Sequence, residues 1–99
     1  MGLYHPMVYQ WDELKKLRNY RKYGVWFEEA QTVWADSRSV EFFDPEGSEQ
    51  EDRFIRLGHS KNLNLLLVVF CEREACEVIR IISARKATKK ERYDYEKGL

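Results

Sequence analysis

The residues best suited to chemistry lie in the last third of the chain, where an apolar segment runs into a group of cations. Residues 78–83 have a strand pattern that is interrupted by Arg80, and Arg85 stands at the start of a cationic stretch that reaches Arg92. Arginine stays charged, and its planar guanidinium matches two oxygens of a phosphate. This segment therefore indicates contact with the phosphates of a polyanion.

The relative placement of Arg80 and Arg85 depends on the local backbone. The two are five residues apart, so in one continuous strand they would point to opposite faces. They converge only if the strand ends or bends near Ser83 and Ala84. For Arg80 two interpretations stay open, a phosphate ligand or an edge-exposed strand cation paired with Glu77 or with a neighbour on the next strand. For Arg85 we favour function, because junctions between elements present side chains to ligands.

Two further candidates lie at the start of a predicted strand. Glu51 and Arg53 are two residues apart, so on one strand they would share a face and could form an ion pair. A glutamate beside an arginine could accept a proton or simply orient the cation. Both interpretations stay open.

Several other cations and one tyrosine also have two interpretations. Lys22 ends a predicted helix, where the helix dipole alone favours a cation. Tyr23 has a phenol suited to stacking on a base or to packing. Lys89 and Arg92 fit a solvated helix face, and they also fit contacts with backbone phosphates. The two interpretations of Lys89 and Arg92 are compatible.

Composition limits the classes of protein that are possible. The chain has 99 residues, of which 43% are hydrophobic, so we expect one domain over residues 1–99 with one core. Residues 1–60 carry eight Lys and Arg against eleven acids, a balance of −3, and residues 61–99 carry nine against six, or +3. The expected molecule is polarised, with one face suited to phosphates.

Membrane, metal and cofactor sites have no sequence support. No run approaches the ~20 apolar residues that cross a bilayer, and the first residues lack the pattern of a secretory signal, so we expect a cytoplasmic protein without a membrane partner. Cys71 and Cys76 match neither a redox pair nor a zinc site, and His5 and His59 lie far apart. We predict no metal and no cofactor.

The pattern of apolar residues predicts an α+β fold. Asp12 as N-cap and Gly24 as terminator predict a first helix, a second helix is predicted over residues 26–35, and Thr88 with Glu91 forms a capping box for a last helix over residues 89–96. The inner face of the first helix would carry Leu14, Leu17 and Tyr20. Between these helices, a four-stranded antiparallel sheet is predicted from strand patterns at residues 40–43, 53–58, 63–70 and 77–83, with turns at residues 44–48 and 72–74. We expect the helices to cover one face of this sheet.

The element order and particular residues resemble the BrnT family of bacterial toxins. The most specific pieces are the strings at residues 80–92 and 24–30 and the distance between them. The family pattern is met by Trp11, Asp12, Asn19, Lys22, Gly24, Val25, Phe27, Glu28, Glu29, Ala30, Asp36, Glu51, Arg53, Gly58, Ser60, Glu72, Arg73, Arg80, Ile81, Ile82, Ser83, Ala84, Arg85, Ala87, Glu91, Arg92 and Tyr95. One position departs, since members usually carry histidine where this chain has Tyr23.

The resemblance implies a fold similar to the RelE group of messenger-RNA interferases and the ribonuclease half of a type II toxin–antitoxin pair. It implies RNA as substrate and a ribbon-helix-helix antitoxin, BrnA-like, in an expected complex of two toxins with two antitoxins. Operator DNA would be contacted only through the antitoxin.

Metal-independent RNA cleavage needs a proton acceptor for the 2′-hydroxyl, cations for the phosphorane and an acid for the leaving oxygen. The residues expected to supply these roles are Lys22, Glu51, Arg53, Arg80 and Arg85, with Tyr23, Lys89 and Arg92 as RNA contacts. The competing interpretation is a binding module of the same fold without catalysis, which the departure at Tyr23 favours. Neither a glycine-rich phosphate loop nor a nucleophile elbow supports another class of enzyme.

Overall fold

The computed structural model describes residues 7–46, 51–73 and 77–98. The predicted turns at residues 44–48 and 72–74 lie partly outside the described residues, and Cys76 lies wholly outside them. The turn expected at Glu72 and Arg73 was wrong, because both residues continue a strand that pairs on both sides. The described elements, in chain order, are β1 (Val8–Gln10), α1 (Glu13–Tyr23), α2 (Phe27–Ala30), a 3₁₀ turn (Gln31–Ala35), β2 (Val40–Asp44), β3 (Arg53–His59), β4 (Leu65–Arg73), β5 (Val78–Lys86) and α3 (Lys89–Glu96).

The ends of α1 and α3 follow local capping chemistry. The Asp12 carboxylate accepts the Lys15 backbone N–H at 3.0 Å, and Gly24 ends α1 with a left-handed φ of 71° that suits glycine. The Thr88 hydroxyl and the Glu91 carboxylate form the reciprocal capping box of α3. The predicted start and end of α1 and the bounds of α3 are confirmed. The predicted second helix is shorter than expected, because only Phe27–Ala30 is α-helical before the 3₁₀ turn.

The sheet has the order β1-β5-β4-β3-β2. Strands β2 to β5 form the predicted antiparallel meander. The prediction of only four strands was wrong, because β1 adds a fifth that runs parallel to β5. This strand has three residues, too few for a periodic signal, and its pairing partners Val78–Arg80 are far away in sequence.

The helices lie on both faces of the sheet, so the expectation that they share one face was wrong. Aromatic and aliphatic side chains of α2 and the 3₁₀ turn pack on β4 and β5 to form the larger core. On the opposite face Tyr95 of α3 packs on Leu57 and Leu65. We call this second side, which also carries Arg53, Arg80 and Arg85, the α3 face.

Helix α1 is attached to the sheet by a buried amide. Asn19 is 6% exposed, and its Nδ2 donates to the carbonyl oxygens of Val25 at 3.0 Å and Ala84 at 2.8 Å. Its Oδ1 accepts the Ala84 backbone N–H at 3.0 Å. Beyond the short β1, the side chain of Asn19 thus takes the place of a neighbouring strand along the edge of β5.

The predicted inner stripe of α1 was wrong. Leu14 is 62% exposed, Leu17 is 45% exposed and Tyr20 is 41% exposed, so these three side chains face outward. The helix turns Asn19 to the sheet instead, and Tyr20 stacks on Trp26 with ring centroids 3.9 Å apart. A polar contact rather than an apolar stripe therefore determines which side of α1 faces inward.

Helix α3 is anchored through Asp36. The Asp36 carboxylate accepts the Tyr95 hydroxyl at 2.6 Å and the His59 backbone N–H at 2.8 Å. Burial acts to raise the pKa of Asp36, but these hydrogen bonds and one from the Arg38 backbone outweigh it and lower the pKa. Within the described ranges, no helix is both long and apolar enough to span a membrane.

Candidate active site

A β-bulge brings Arg80 and Arg85 to the same side of the sheet. Arg80 pairs with Cys71, Arg85 pairs with Leu67, and the register shifts between them at Val69 and Phe70. Cys71 and Leu67 are four residues apart on β4 and so share a face. The bend that the sequence required near Ser83 is therefore present, although β5 continues past it to Lys86.

Arg80 belongs to a row of side chains that crosses the α3 face. The register aligns Arg53 with Cys71 and Cys71 with Arg80, and it places Gln10 beside Arg80. The Arg80 Nη1 donates to Gln10 Oε1 at 3.4 Å. Since residues directly opposite one another share a face, Arg53 and Arg80 flank Cys71 from two neighbouring strands.

Glu51 lies next to this row but not within β3. Its carboxylate accepts two hydrogen bonds from Arg73 Nη2, at 3.1 and 3.2 Å. Arg73, and then the Cys71 thiol, lower the pKa of Glu51, and Arg80 adds to this effect. Burial, reinforced by Glu51, raises the pKa of Cys71. The ion pair that we expected between Glu51 and Arg53 is thus replaced by one with Arg73, because Glu51 precedes the strand.

Arg85 is held by helix α3. Its Nη1 and Nη2 each donate to one oxygen of the Glu91 carboxylate at 2.8 Å, and Nη1 also donates to the Lys86 carbonyl oxygen at 3.2 Å. Glu91 raises the pKa of Arg85, and Arg85 lowers that of Glu91. Arg85 lies inside β5 and not at a junction, so the loop-based reason for choosing it was wrong.

Lys22 and Tyr23 end α1 near this arginine. The Lys22 ammonium lies 5.1 Å from the centre of the Tyr23 ring, and Tyr23 is 38% exposed. The phenol of Tyr23 is close enough to contribute to the raised pKa of Arg85, after Glu91. These two residues and Arg85 therefore form a second group on the molecule, apart from the row at Arg53 and Arg80.

Lys89 and Arg92 lie on α3. Lys89 is exposed in its first turn, and Arg92 is exposed one turn later. This is the solvated helix face that the sequence indicated, and it leaves both side chains accessible.

Comparison with known proteins identifies the family. Residues 11–91 match the family described as "Ribonuclease toxin, BrnT, of type II toxin-antitoxin system". The chain belongs to the BrnT family. The fold is also similar to the crystal structure, at 1.1 Å resolution, of the Brucella abortus ribonuclease toxin BrnT, with a TM-score of 0.64 and 25% identity over 84% of this chain and 99% of that chain. A search of curated proteins finds no match.

Membership of the BrnT family makes the chain a ribonuclease toxin of a type II toxin–antitoxin system, with RNA as substrate and an antitoxin as partner. Among the described residues, no group of three or more His, Cys, Asp and Glu could hold a metal ion.

Sequence reasoning assigned no role at the candidate site to four residues around it. Arg73 and Gln10 contact the row through pairings that are distant in sequence, and Arg73 and Asn19 were noted in the family pattern without a role. Glu91 was recognised as half of a capping box, but not as the partner of Arg85. The signal for Glu91 was available, since a capping-box carboxylate six residues after a strand arginine lies just beyond the end of that strand.

Proposed function

We propose that the protein cleaves RNA without a metal, by attack of a 2′-hydroxyl on the adjacent phosphate. The 2′-oxygen forms a bond to phosphorus, the bond to the 5′-oxygen breaks, and a 2′,3′-cyclic phosphate remains. The observation that carries the proposal is the shared placement of Arg53, Arg80 and Arg85 on the α3 face. Fixed cations of this kind stabilise the charge that grows on the phosphorane.

In this proposal Arg80 and Arg85 approach the phosphate from opposite ends. Their partners on β4 are four residues apart, roughly 13 Å at the usual strand rise. Two long arginine side chains can span this separation above Val69 and Ser83, which are half-buried between them. Arg53, on the same row as Arg80, contacts the RNA strand beside it.

Glu51 and Lys22 are the proposed proton acceptor and donor. Arg73 keeps the pKa of Glu51 low, so this carboxylate is ionised at neutral pH and can accept the 2′-hydroxyl proton. Lys22 lies at the other end of the site, next to Tyr23, and supplies a proton or a positive charge to the leaving 5′-oxygen.

The remaining contacts bind RNA without reading its sequence. Tyr23 offers an exposed ring for base stacking, and Lys89 and Arg92 offer charges to backbone phosphates. We therefore expect an affinity that falls with salt.

For the partner, we propose a BrnA-like ribbon-helix-helix antitoxin in a complex of two toxins with two antitoxins. In this complex only the antitoxin contacts operator DNA. Ribbon-helix-helix proteins are dimers, so each antitoxin dimer would bind two toxins. An acidic segment would cover the basic residues near the C-terminus, and an apolar helix would cover Trp26, which is 39% exposed. Light scattering of the co-expressed pair measures this ratio.

The test of the reaction uses purified protein and single-stranded RNA. We expect cleavage in EDTA, with 2′,3′-cyclic phosphate ends. We also expect Arg85→Ala to lose about a hundredfold or more in rate, because it removes a contact to the transition state. Lys90→Ala is the matched control, since Lys90 is an exposed cation on α3 that pairs only with Asp94 among the described residues. Activity that disappears in EDTA and returns with magnesium would refute the metal-free mechanism, and equal losses in the two variants would refute the role of Arg85.

A binding module without catalysis is the second candidate, and the observation in its favour is Tyr23 in place of the usual histidine. Induced expression in bacteria separates the two functions. Growth arrest that Arg85→Ala abolishes supports the ribonuclease. Growth arrest without RNA cleavage would support the binding module.

A further inference from the structure

The guanidinium of Arg85 is only partly occupied by its protein partners. A guanidinium carries five N–H groups. The Glu91 carboxylate accepts a hydrogen bond from one N–H of Nη1 and from one N–H of Nη2. The Lys86 carbonyl oxygen accepts a hydrogen bond from the other N–H of Nη1. The two that remain are the Nε–H and the second Nη2–H. In the part of the chain that the structure describes, no group accepts either of them.

These two remaining N–H groups form a second binding edge. Nη1 lies on the same side as Cδ and Nη2 on the side of the Nε–H, so the Nε–H and one Nη2–H run parallel along one edge of the plane. Two parallel donors match two oxygens of a phosphate. The Arg85 side chain is still 34% exposed while Glu91 occupies the other edge.

Glu91 is itself held firmly. Its Oε1 accepts the Thr88 backbone N–H at 2.8 Å as part of the capping box, and its side chain is 23% exposed. By contrast, the Lys90–Asp94 pair on the same helix is 3.4 Å long, and the Lys90 side chain is 85% exposed. Because the Glu91 carboxylate is bound to the N-terminus of α3, it fixes the orientation of the Arg85 guanidinium relative to that helix.

We propose that Glu91 is a positioning residue for RNA cleavage, which fixes Arg85 so that its Nε–Nη2 edge faces the substrate phosphate. This inference rests on the proposed function, in which Arg85 contacts that phosphate. Glu91 contributes orientation and not charge, because a carboxylate beside the site weakens its attraction for RNA. Its removal therefore slows the reaction without weakening binding.

Kinetics separate this role from a structural one. We expect Glu91→Gln to lower kcat by about tenfold to a hundredfold, as misplaced catalytic groups do, while KM stays the same or falls because one negative charge is lost. Asp94→Asn is the matched control, since it removes one negative charge from the same helix and leaves the Arg85 pair intact. We expect its kcat to stay within about twofold of wild type. A Glu91→Gln enzyme with unchanged kcat, or with a raised KM, would overturn the proposal.

Arginine labelled with ¹⁵N gives a readout that does not depend on activity. In the wild type we expect separate Nη signals for Arg85, because the bidentate pair slows rotation about its guanidinium bonds, and Arg85→Lys assigns them. A non-cleavable 2′-O-methyl RNA should shift the Arg85 Nε–H signal. In Glu91→Gln the Nη signals should merge. Separate Nη signals in that variant, or an Nε–H signal that the RNA leaves unchanged, would overturn the proposal.

The double variant distinguishes the failure of this inference from the failure of the proposed function. If Glu91 acts through Arg85, then Arg85→Ala and Arg85→Ala with Glu91→Gln should be equally slow, within about twofold. A further loss in the double variant would show that Glu91 acts by another route and would overturn the inference alone. An Arg85→Ala enzyme as fast as wild type would remove the proposed role of Arg85, and the inference with it.

Discussion

Replacing Asn19 with alanine should destabilise the protein strongly, because one side chain satisfies three buried backbone groups. Removing it leaves the Ala84 N–H, the Ala84 carbonyl and the Val25 carbonyl without their present partners. A buried polar group without a partner costs about 1–3 kcal/mol. We expect a loss of about 3–5 kcal/mol in the free energy of unfolding, which is high for a single substitution.

This loss is large against the whole stability of such a protein. A domain of this size unfolds with about 5–15 kcal/mol, so the variant should lose about a fifth or more of its stability. Urea unfolding, followed by circular dichroism, gives the difference in the free energy of unfolding between variant and wild type. The comparison requires that the dependence of this free energy on urea concentration is the same in both proteins. Arg18→Ala is the control, since Arg18 is exposed on the same helix, and we expect its effect to stay within about 0.5 kcal/mol.

A second variant tests the reason for the loss. Asn19→Asp keeps an oxygen for the Ala84 N–H but loses both donors and places a negative charge beside two carbonyls. It should be at least as unstable as the alanine variant at neutral pH. A loss below about 1 kcal/mol in Asn19→Ala, or an Asn19→Asp protein as stable as wild type, would refute this account of how α1 is attached.

Three further predictions address the rate, the pH dependence and the packing. Tyr23→His should raise the cleavage rate without changing the circular dichroism spectrum, because the family resemblance implies histidine at this position, and an unchanged rate would make the position structural. Burial, and then the Asp36 carboxylate, raise the pKa of Tyr95 to about 12. The unfolded chain gives up this proton near pH ~10, so stability should fall as pH rises through the range up to about 12, and Tyr95→Phe should reduce that fall in urea titrations. Gly58→Ala should cost about 1–3 kcal/mol in the same assay, because its new Cβ would lie 2.9 Å from Val33 Cγ1, and wild-type stability would contradict this packing.

The parts of the fold that the sequence predicted correctly depend on local chemistry. Asp12 and Gly24 define the ends of α1, and Thr88 with Glu91 starts α3, through contacts within a few residues. The four long strands also have clear apolar patterns. Such signals lie within one short window of sequence, and sequence reasoning could therefore read them.

The parts that the sequence did not predict depend on distant partners. Strand β1 is ordered by pairing with β5, and the inward side of α1 is chosen by the contact between Asn19 and Ala84. The sequence indicated a bend in β5 only on the assumption that Arg80 and Arg85 converge. For the site, the residue types were readable, but the pairing of Glu51 with Arg73 was not, because Glu51 precedes β3 and Arg73 lies 22 residues later at the end of β4.

The long-range contacts at the edge of β5 have a consequence for the order of folding. Asn19 and Ala84 are 65 residues apart in sequence, and Gln10 and Arg80 are 70 apart. Closing such loops has a high entropic cost, so these contacts form late, after the local hairpins of β2 to β5. On a ribosome, β5, which bears Arg80 and Arg85, emerges after the other described strands. We therefore expect a nascent toxin to stay inactive until β5 has left the ribosome and paired with β1 and β4.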